Sequence, residues 1–216
     1  MMIDGDGFLH SIHTFHHVTA KILPFRCRPI QDIDFDNYVL FTGTSHTEGV
    51  GVNVEESFPY LVSKYFNYDY FNLAISGTGT DVIEHNLLVW SYLFKDRQPK
   101  YVFIEWPPEE RYAAKYPGYE NYLPTGNWSE DQNAVHLLIK GKKVFENRLL
   151  MLYNLSRSLF KCPIINLRHT SLVTEDMNNS NMIWIQRLDR GTDGAHPGPK
   201  SHKDVSKKII EYILLR

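Results

Sequence analysis

The residues of this sequence best suited to chemistry lie near its two ends. Ser45 stands in Gly43-Thr44-Ser45-His46-Thr47-Glu48-Gly49, directly after the apolar run Tyr38-Val39-Leu40-Phe41. Near the other end, Asp193-Gly194-Ala195-His196-Pro197-Gly198 places an acid three residues before a histidine. A serine hydroxyl becomes a nucleophile when an imidazole takes its proton, and an acid beside that imidazole holds one ring nitrogen so that the other is free to do so. The chemistry this set would support is acyl transfer through Ser45, His196 and Asp193. With 10 histidines in the chain, an Asp-x-x-His spacing arises easily by accident, so its surroundings must decide its meaning.

The elements that must bring these groups together are legible from periodicity. Tyr38 to Phe41 is an unalternating apolar run stopped by a glycine, which predicts a short buried strand with Ser45 just past its carboxyl end. Further strands are predicted over 70–74, 100–105 and 163–167, with a short edge strand over 182–186. Helices are predicted between them. Residues 55–66 put Phe58, Leu61, Val62 and Tyr65 on one side, and 81–94 align Val82, His85, Leu88, Val89 and Tyr92. Residues 144–160 present Leu149, Leu152, Leu155 and Leu159, and 200–215 turn Val205, Ile209, Ile210, Ile213 and Leu214 toward a sheet. Alternating strands and helices predict an α/β fold, a three-layer α/β/α sandwich around a mostly parallel, flavodoxin-like sheet of order 2-1-3-4-5. In such a sheet ligands bind at the carboxyl ends of the strands, where Ser45 falls.

Read together, three blocks carry a resemblance. Gly-x-Ser-x-x-x-Gly at 43–49, Asn72-Leu73-Ala74-Ile75-Ser76-Gly77 after the second strand, and Asp-Gly-x-His-Pro-Gly at 193–198 are similar, in order and separation, to the SGNH (GDSL-type) hydrolase superfamily. The resemblance covers about residues 38–216. It implies Ser45 as nucleophile, His196 as general base, Asp193 as the partner that orients it, and the backbone N–H groups of Ser45 and Gly77 as oxyanion donors. Thr44, His46, Thr78, Trp106 and Tyr112 flank these blocks and are the positions expected to touch substrate. Two features depart from the family pattern. The Gly-x-Asn-Asp after the third strand is here Glu105-Trp106-Pro107-Pro108, which removes an asparagine donor, and the acid usually found before the serine is Thr44. Loss of one oxyanion donor typically costs about 10²–10³ in turnover. The Trp106 indole N–H and the hydroxyls of Ser76 and Thr78 are the nearby groups able to stand in. Glu105 is expected to pair with an arginine such as Arg111 or to point away from the site. His169, at the end of the fourth strand, is a rival base without an acid at matching spacing.

Composition narrows the class of protein. A chain of 216 residues, 43% hydrophobic and 22% charged, suits one α/β domain. We divide it into an arm at 1–36, packed on the domain, and an SGNH-like domain at 37–216. A net charge of −2 gives no basic field, which argues against nucleic-acid binding. Cys27 and Cys162 leave room for a single bridge and suit a reducing compartment. The amino terminus has acids where a secretion signal needs positive charge, and no apolar run approaches the roughly 18 residues of a membrane span. These features predict a cytoplasmic protein by default, with membership of a viral particle as the other reading, and an oligomer is compatible with both. No cofactor is expected. His10, His13 and His17 share a helical face at metal-ligand spacing, but without a second ligand cluster they read as packing residues, and no metal is expected. Residues 106–134 are rich in proline, glycine and aromatics, and a loop of that length tends to be a lid or binding wall.

Two functions follow. The first is a serine esterase that removes short acyl groups, acetyl above all, from a carbohydrate or similar small-molecule ester. The second is a relative that keeps the fold as a binding or assembly module, or as an O-acyltransferase using the same residues.

Overall fold

The computed structural model describes residues 2–3, 9–10, 26–27, 30–107, 112–115, 122–125, 142–169 and 182–216. Its centre is a five-stranded sheet of β1 (Tyr38–Thr42), β2 (Asp69–Asn72), β3 (Val102–Trp106), β4 (Ile164–His169) and β5 (Met182–Ile185). The spatial order is β2-β1-β3-β4-β5, and every pairing is parallel. All five carboxyl ends therefore share one rim. The helices are α1 (Ser45–Glu48), α2 (Phe58–Phe66), α3 (Thr80–Leu93), α4 (Lys142–Leu159) and α5 (Pro199–Leu214).

Strand side chains alternate between two cores because their period is two. Tyr38, Leu40, Phe71, Leu73, Val102, Ile104 and Trp106 face α3 and α4 in one core. Val39, Phe41, Phe103, Ile165, Leu167 and Ile183 face α2 and α5 in the other. Both faces are covered, which is why these strands read as continuous apolar runs.

Several expectations shift by part of a turn. In α3 the buried face is Val82, Ile83, Asn86, Leu87 and Trp90, while Tyr92 is 81% exposed. The large Trp90 ring sets the rotation, packing at 4.5 Å from Phe71 and 6.1 Å from Tyr38. Tyr65 of α2 and Leu214 of α5 likewise turn outward. The helix expected from residue 55 starts as a 3₁₀ turn, Val54–Glu56, closed by reciprocal hydrogen bonds between Asn53 and Glu56.

The aromatic segment holds more structure than a loop. Tyr112–Lys115 and Tyr122–Thr125 pair as an antiparallel ribbon; Tyr116, Tyr119 and Trp128 lie outside the described residues. His10 belongs to a two-residue strand, Leu9–His10, paired with Met2–Ile3, so it is extended rather than helical. His13 and His17 lie outside the described residues, as does Arg111. Cys27 and Cys162 are both free, and burial pushes each thiol up to about 11.

Candidate active site

Ser45 opens α1, a four-residue helix directly after β1. The first N–H groups of a helix have no partner inside it, so the Ser45 N–H is available at the rim. The helix closes on Gly49 in the left-handed conformation, φ 83°, and the Gly49 and Val50 N–H groups return to the Ser45 carbonyl at 3.1 and 2.9 Å. Among the described residues the Ser45 hydroxyl forms no hydrogen bond.

The loop after β5 shapes itself around Asp193. The Ala195 and His196 N–H groups both donate to Asp193 Oδ1 at 3.0 Å, and His196 Nδ1 lies 2.5 Å from Oδ2. The His196 N–H, then the His196 ring and the Ala195 N–H, hold the Asp193 carboxyl down at about 2. With Nδ1 turned to the carboxylate, Nε2 is the ring nitrogen left to exchange a proton. Arg187 and Arg190 support this turn by donating to the Ala195 and Gly194 carbonyls, each at 3.1 Å. Gly191 closes it by donating to the His196 carbonyl at 2.8 Å.

This loop is docked on the segment that follows Ser45. The Thr192 N–H and hydroxyl donate to the Gly51 carbonyl at 2.8 and 3.2 Å. Gly51, at φ 86°, also packs against Gly191 and Asp193. Ser45 and the Asp193–His196 pair are thus attached to the same short stretch, residues 49–52.

Gly77 follows β2 on the same rim, at φ 74°. Its neighbour Ser76 donates its N–H to Glu48 Oε2 at 2.6 Å, so the end of α1 carries the turn that holds Gly77. The Gly77 N–H makes no hydrogen bond among the described residues.

Three of the flanking positions use their donors within the fold. The Thr44 hydroxyl donates to Glu105, the Thr78 hydroxyl to the Ile75 carbonyl, and the Trp106 indole N–H to Asn166 at 2.8 Å. All three residues are buried, as is His46, whose ring sits 4.6 Å from that of His202. The side-chain donors of Trp106 and Thr78, named as possible stand-ins for the missing oxyanion donor, are thus engaged inside the fold. Ser76 is the stand-in whose hydroxyl forms no hydrogen bond among the described residues. The side chains of Tyr112 and His169 lie outside the described residues.

Sequence reading missed the residues that hold α1 and its surroundings in place. The Glu105 carboxylate turns under α1 rather than away from the site, and it accepts hydrogen bonds from Thr44 and Thr47. Asn72 Nδ2 donates to the Thr47 carbonyl at 2.7 Å. The Arg26 guanidinium donates to the carbonyls of Glu48, Gly49 and Val52, closing the other end of α1. His202 Nδ1 accepts the Phe58 N–H at 3.1 Å. Asp189 accepts from the Lys200 and Ser201 N–H groups and the Ser201 hydroxyl at the start of α5. Desolvation works against the Asp189 charge, but these hydrogen bonds outweigh it and lower its carboxyl. The one signal in the sequence was a charge inside an apolar strand, Val102-Phe103-Ile104-Glu105-Trp106, because a buried carboxylate needs donors around it.

No family model matches the sequence, and no curated protein does. Solved structures match the fold over most of the chain. One is a carbohydrate esterase whose active site displays divergent catalytic and non-catalytic binding functions, at TM-score 0.56 and 15% identity over 88% of this chain and 68% of that one. Another is a carbohydrate esterase family 2 enzyme with a carbohydrate-binding domain from Corynascus thermopiles (Myceliophthora fergusii), at 0.52 and 13% over 90% and 68%. A third is the psychrotrophic esterase EstA from Pseudoalteromonas sp., inhibited by monoethylphosphonate, at 0.52 and 14% over 82% and 97%. The sheet order, the layering and these likenesses define a three-layer α/β/α fold with a flavodoxin-like parallel sheet, shared with these esterases. At such identities the likeness establishes the fold alone.

Proposed function

We propose that this protein is a serine esterase of SGNH type that removes short acyl groups, acetyl above all, from a carbohydrate or similar ester. The observation that carries the reading is the attachment of the Asp193–His196 pair, through Thr192 and Gly51, to the segment leaving Ser45. In this reading Ser45 Oγ attacks the ester carbonyl while His196 Nε2 takes its proton. Asp193 keeps Nδ1–H in place and stabilises the imidazolium. The N–H groups of Ser45 and Gly77 receive the negative charge that develops on the carbonyl oxygen. Collapse expels the alcohol with the proton from His196, and water repeats the sequence on the acyl-enzyme. Carbohydrate esterases of the same fold, and the aromatic composition of residues 106–134, support a sugar ester as substrate.

The test is hydrolysis of p-nitrophenyl acetate. Ser45→Ala abolishes it while the circular dichroism and unfolding midpoint stay those of the wild type; undiminished turnover in the variant overturns the reading. A second reading, a weakly active or inactive glycan-binding module, is favoured by the commitment of the Trp106 N–H to Asn166, which leaves the oxyanion hole without that donor. Glycan binding that survives Ser45→Ala with His196→Ala, in a protein that turns over no ester, selects it.

A further inference from the structure

A carboxylate from the neighbouring strand sits beneath the first turn of α1. Glu105 is 1% exposed. Its Oε2 accepts the Thr47 N–H at 2.9 Å, the Thr47 hydroxyl at 2.5 Å and the Thr44 N–H at 3.2 Å, while Oε1 accepts the Thr44 hydroxyl at 3.1 Å. Three donors converging on one oxygen fit an ionised carboxylate, and hydrogen bonds to such a charge are among the strongest in proteins. The backbone leaves room for it at a single place. A Cβ at Gly43 would fall 2.7 Å from Glu105 Cβ and 2.6 Å from Thr47 Oγ1, so no other residue fits there without displacing them.

The residues that make these contacts flank Ser45 along the chain. Thr44 precedes it, Thr47 lies two residues beyond it, and both are tied to the same carboxylate through backbone and side chain. The acid in the segment itself, Glu48, accepts the Ser76 N–H at 2.6 Å, and the position before the serine is a threonine. We propose that Glu105 is the positioning residue of the nucleophile, a carboxylate delivered from β3 that fixes the first turn of α1 and so aims the Ser45 hydroxyl and N–H. The inference rests on Ser45 being the nucleophile. It adds how a chain with Thr44 at that position keeps Ser45 in register.

The experiment combines Glu105→Gln, Thr47→Val and the double variant Thr44→Asp with Glu105→Gln. The last moves the carboxylate to the other side of the 3.1 Å contact between Thr44 Oγ1 and Glu105 Oε1. Three readouts are taken: p-nitrophenyl acetate kinetics, the rate of labelling by a fluorophosphonate, and amide hydrogen exchange of residues 44–49. Glu105→Gln lowers kcat and the labelling rate roughly 10²-fold, the scale expected of a misplaced reactive group, with KM little changed and faster exchange across α1. Thr47→Val, which removes one donor and keeps the charge, gives a smaller loss of the same kind and serves should Glu105→Gln not fold. The double variant recovers most of the labelling rate. Unchanged exchange at 44–49 in both Glu105→Gln and Thr47→Val overturns the proposal, as does full turnover in Glu105→Gln. A wild type that neither turns over ester nor takes the label, yet shows α1 loosened in Glu105→Gln, sinks the nucleophile assignment and supports Glu105 as the anchor of α1.

Discussion

The Thr192 N–H meets the Gly51 carbonyl at 2.8 Å, joining the loop before the last helix to the loop after the first strand. Through this contact the Asp193–His196 pair, built locally near one end of the chain, is held against the segment that carries Ser45. The two backbones approach so closely that side chains are excluded: a Cβ at Gly191 would fall 2.5 Å from the Gly51 carbonyl oxygen.

Gly191→Ala therefore pushes the two loops apart. Ester hydrolysis falls roughly 10²-fold, as for other small displacements of reacting groups, and the fold loses about 1–3 kcal/mol from overpacking. Kinetics on p-nitrophenyl acetate beside urea unfolding check both figures. A variant with wild-type kcat breaks the link between this contact and catalysis.

Asp193→Asn retains an oxygen for the Ala195 and His196 N–H groups but presents a neutral amide to the ring. The imidazole then loses the partner that selects its tautomer, and turnover drops on the order of 10³–10⁴-fold with the overall fold unchanged. Because the carboxyl is held at about 2, it is largely charged from pH 3 upward. The acid limb of the wild-type pH profile accordingly carries no break from Asp193 between pH 3 and 5. A carboxylate break in that range, absent from the variant, contradicts this assignment.

His202 makes the fold acid-sensitive. Burial pushes its imidazole from 6.5 down to about 4, with Glu105, Asp189 and Glu56 pulling upward and Arg26 downward, and its Nδ1 accepts the Phe58 N–H only when unprotonated. Between these values the unfolded chain binds the proton and the native one does not, so stability falls as pH drops from 6.5 and levels off below 4. The contribution lost is on the order of 3 kcal/mol. His202→Gln, whose amide oxygen can still accept from Phe58, flattens that window. Urea midpoints at pH 7, 5.5 and 4 for both proteins read the difference. Parallel pH dependence in the two assigns the acid sensitivity elsewhere.

What was open to sequence reading was whatever is encoded by neighbours along the chain. The apolar runs at 38–41 and 163–167 named their strands because both sheet faces are covered, and the parallel order 2-1-3-4-5 followed from the alternation of strand and helix. Asp193 and His196 were legible as a pair because three residues of chain suffice for the Asp193 carboxylate to collect two N–H groups and a ring. Tertiary structure alone decided the rest. Leu88 and Tyr92 look as apolar as Ile83 and Trp90, and only the bulk of Trp90 against Phe71 and Tyr38 chose which side of α3 is buried. Cys27 and Cys162 left a bridge open, and in the fold both are free thiols. Trp106 looked available as an oxyanion donor until Asn166, 60 residues away, took its N–H. Glu105 lies 58–61 residues from the threonines that surround it. A hydrogen bond across that distance leaves no periodicity or spacing to read, since it depends on two strands lying side by side with Gly43, at the end of one, facing Glu105 of the other.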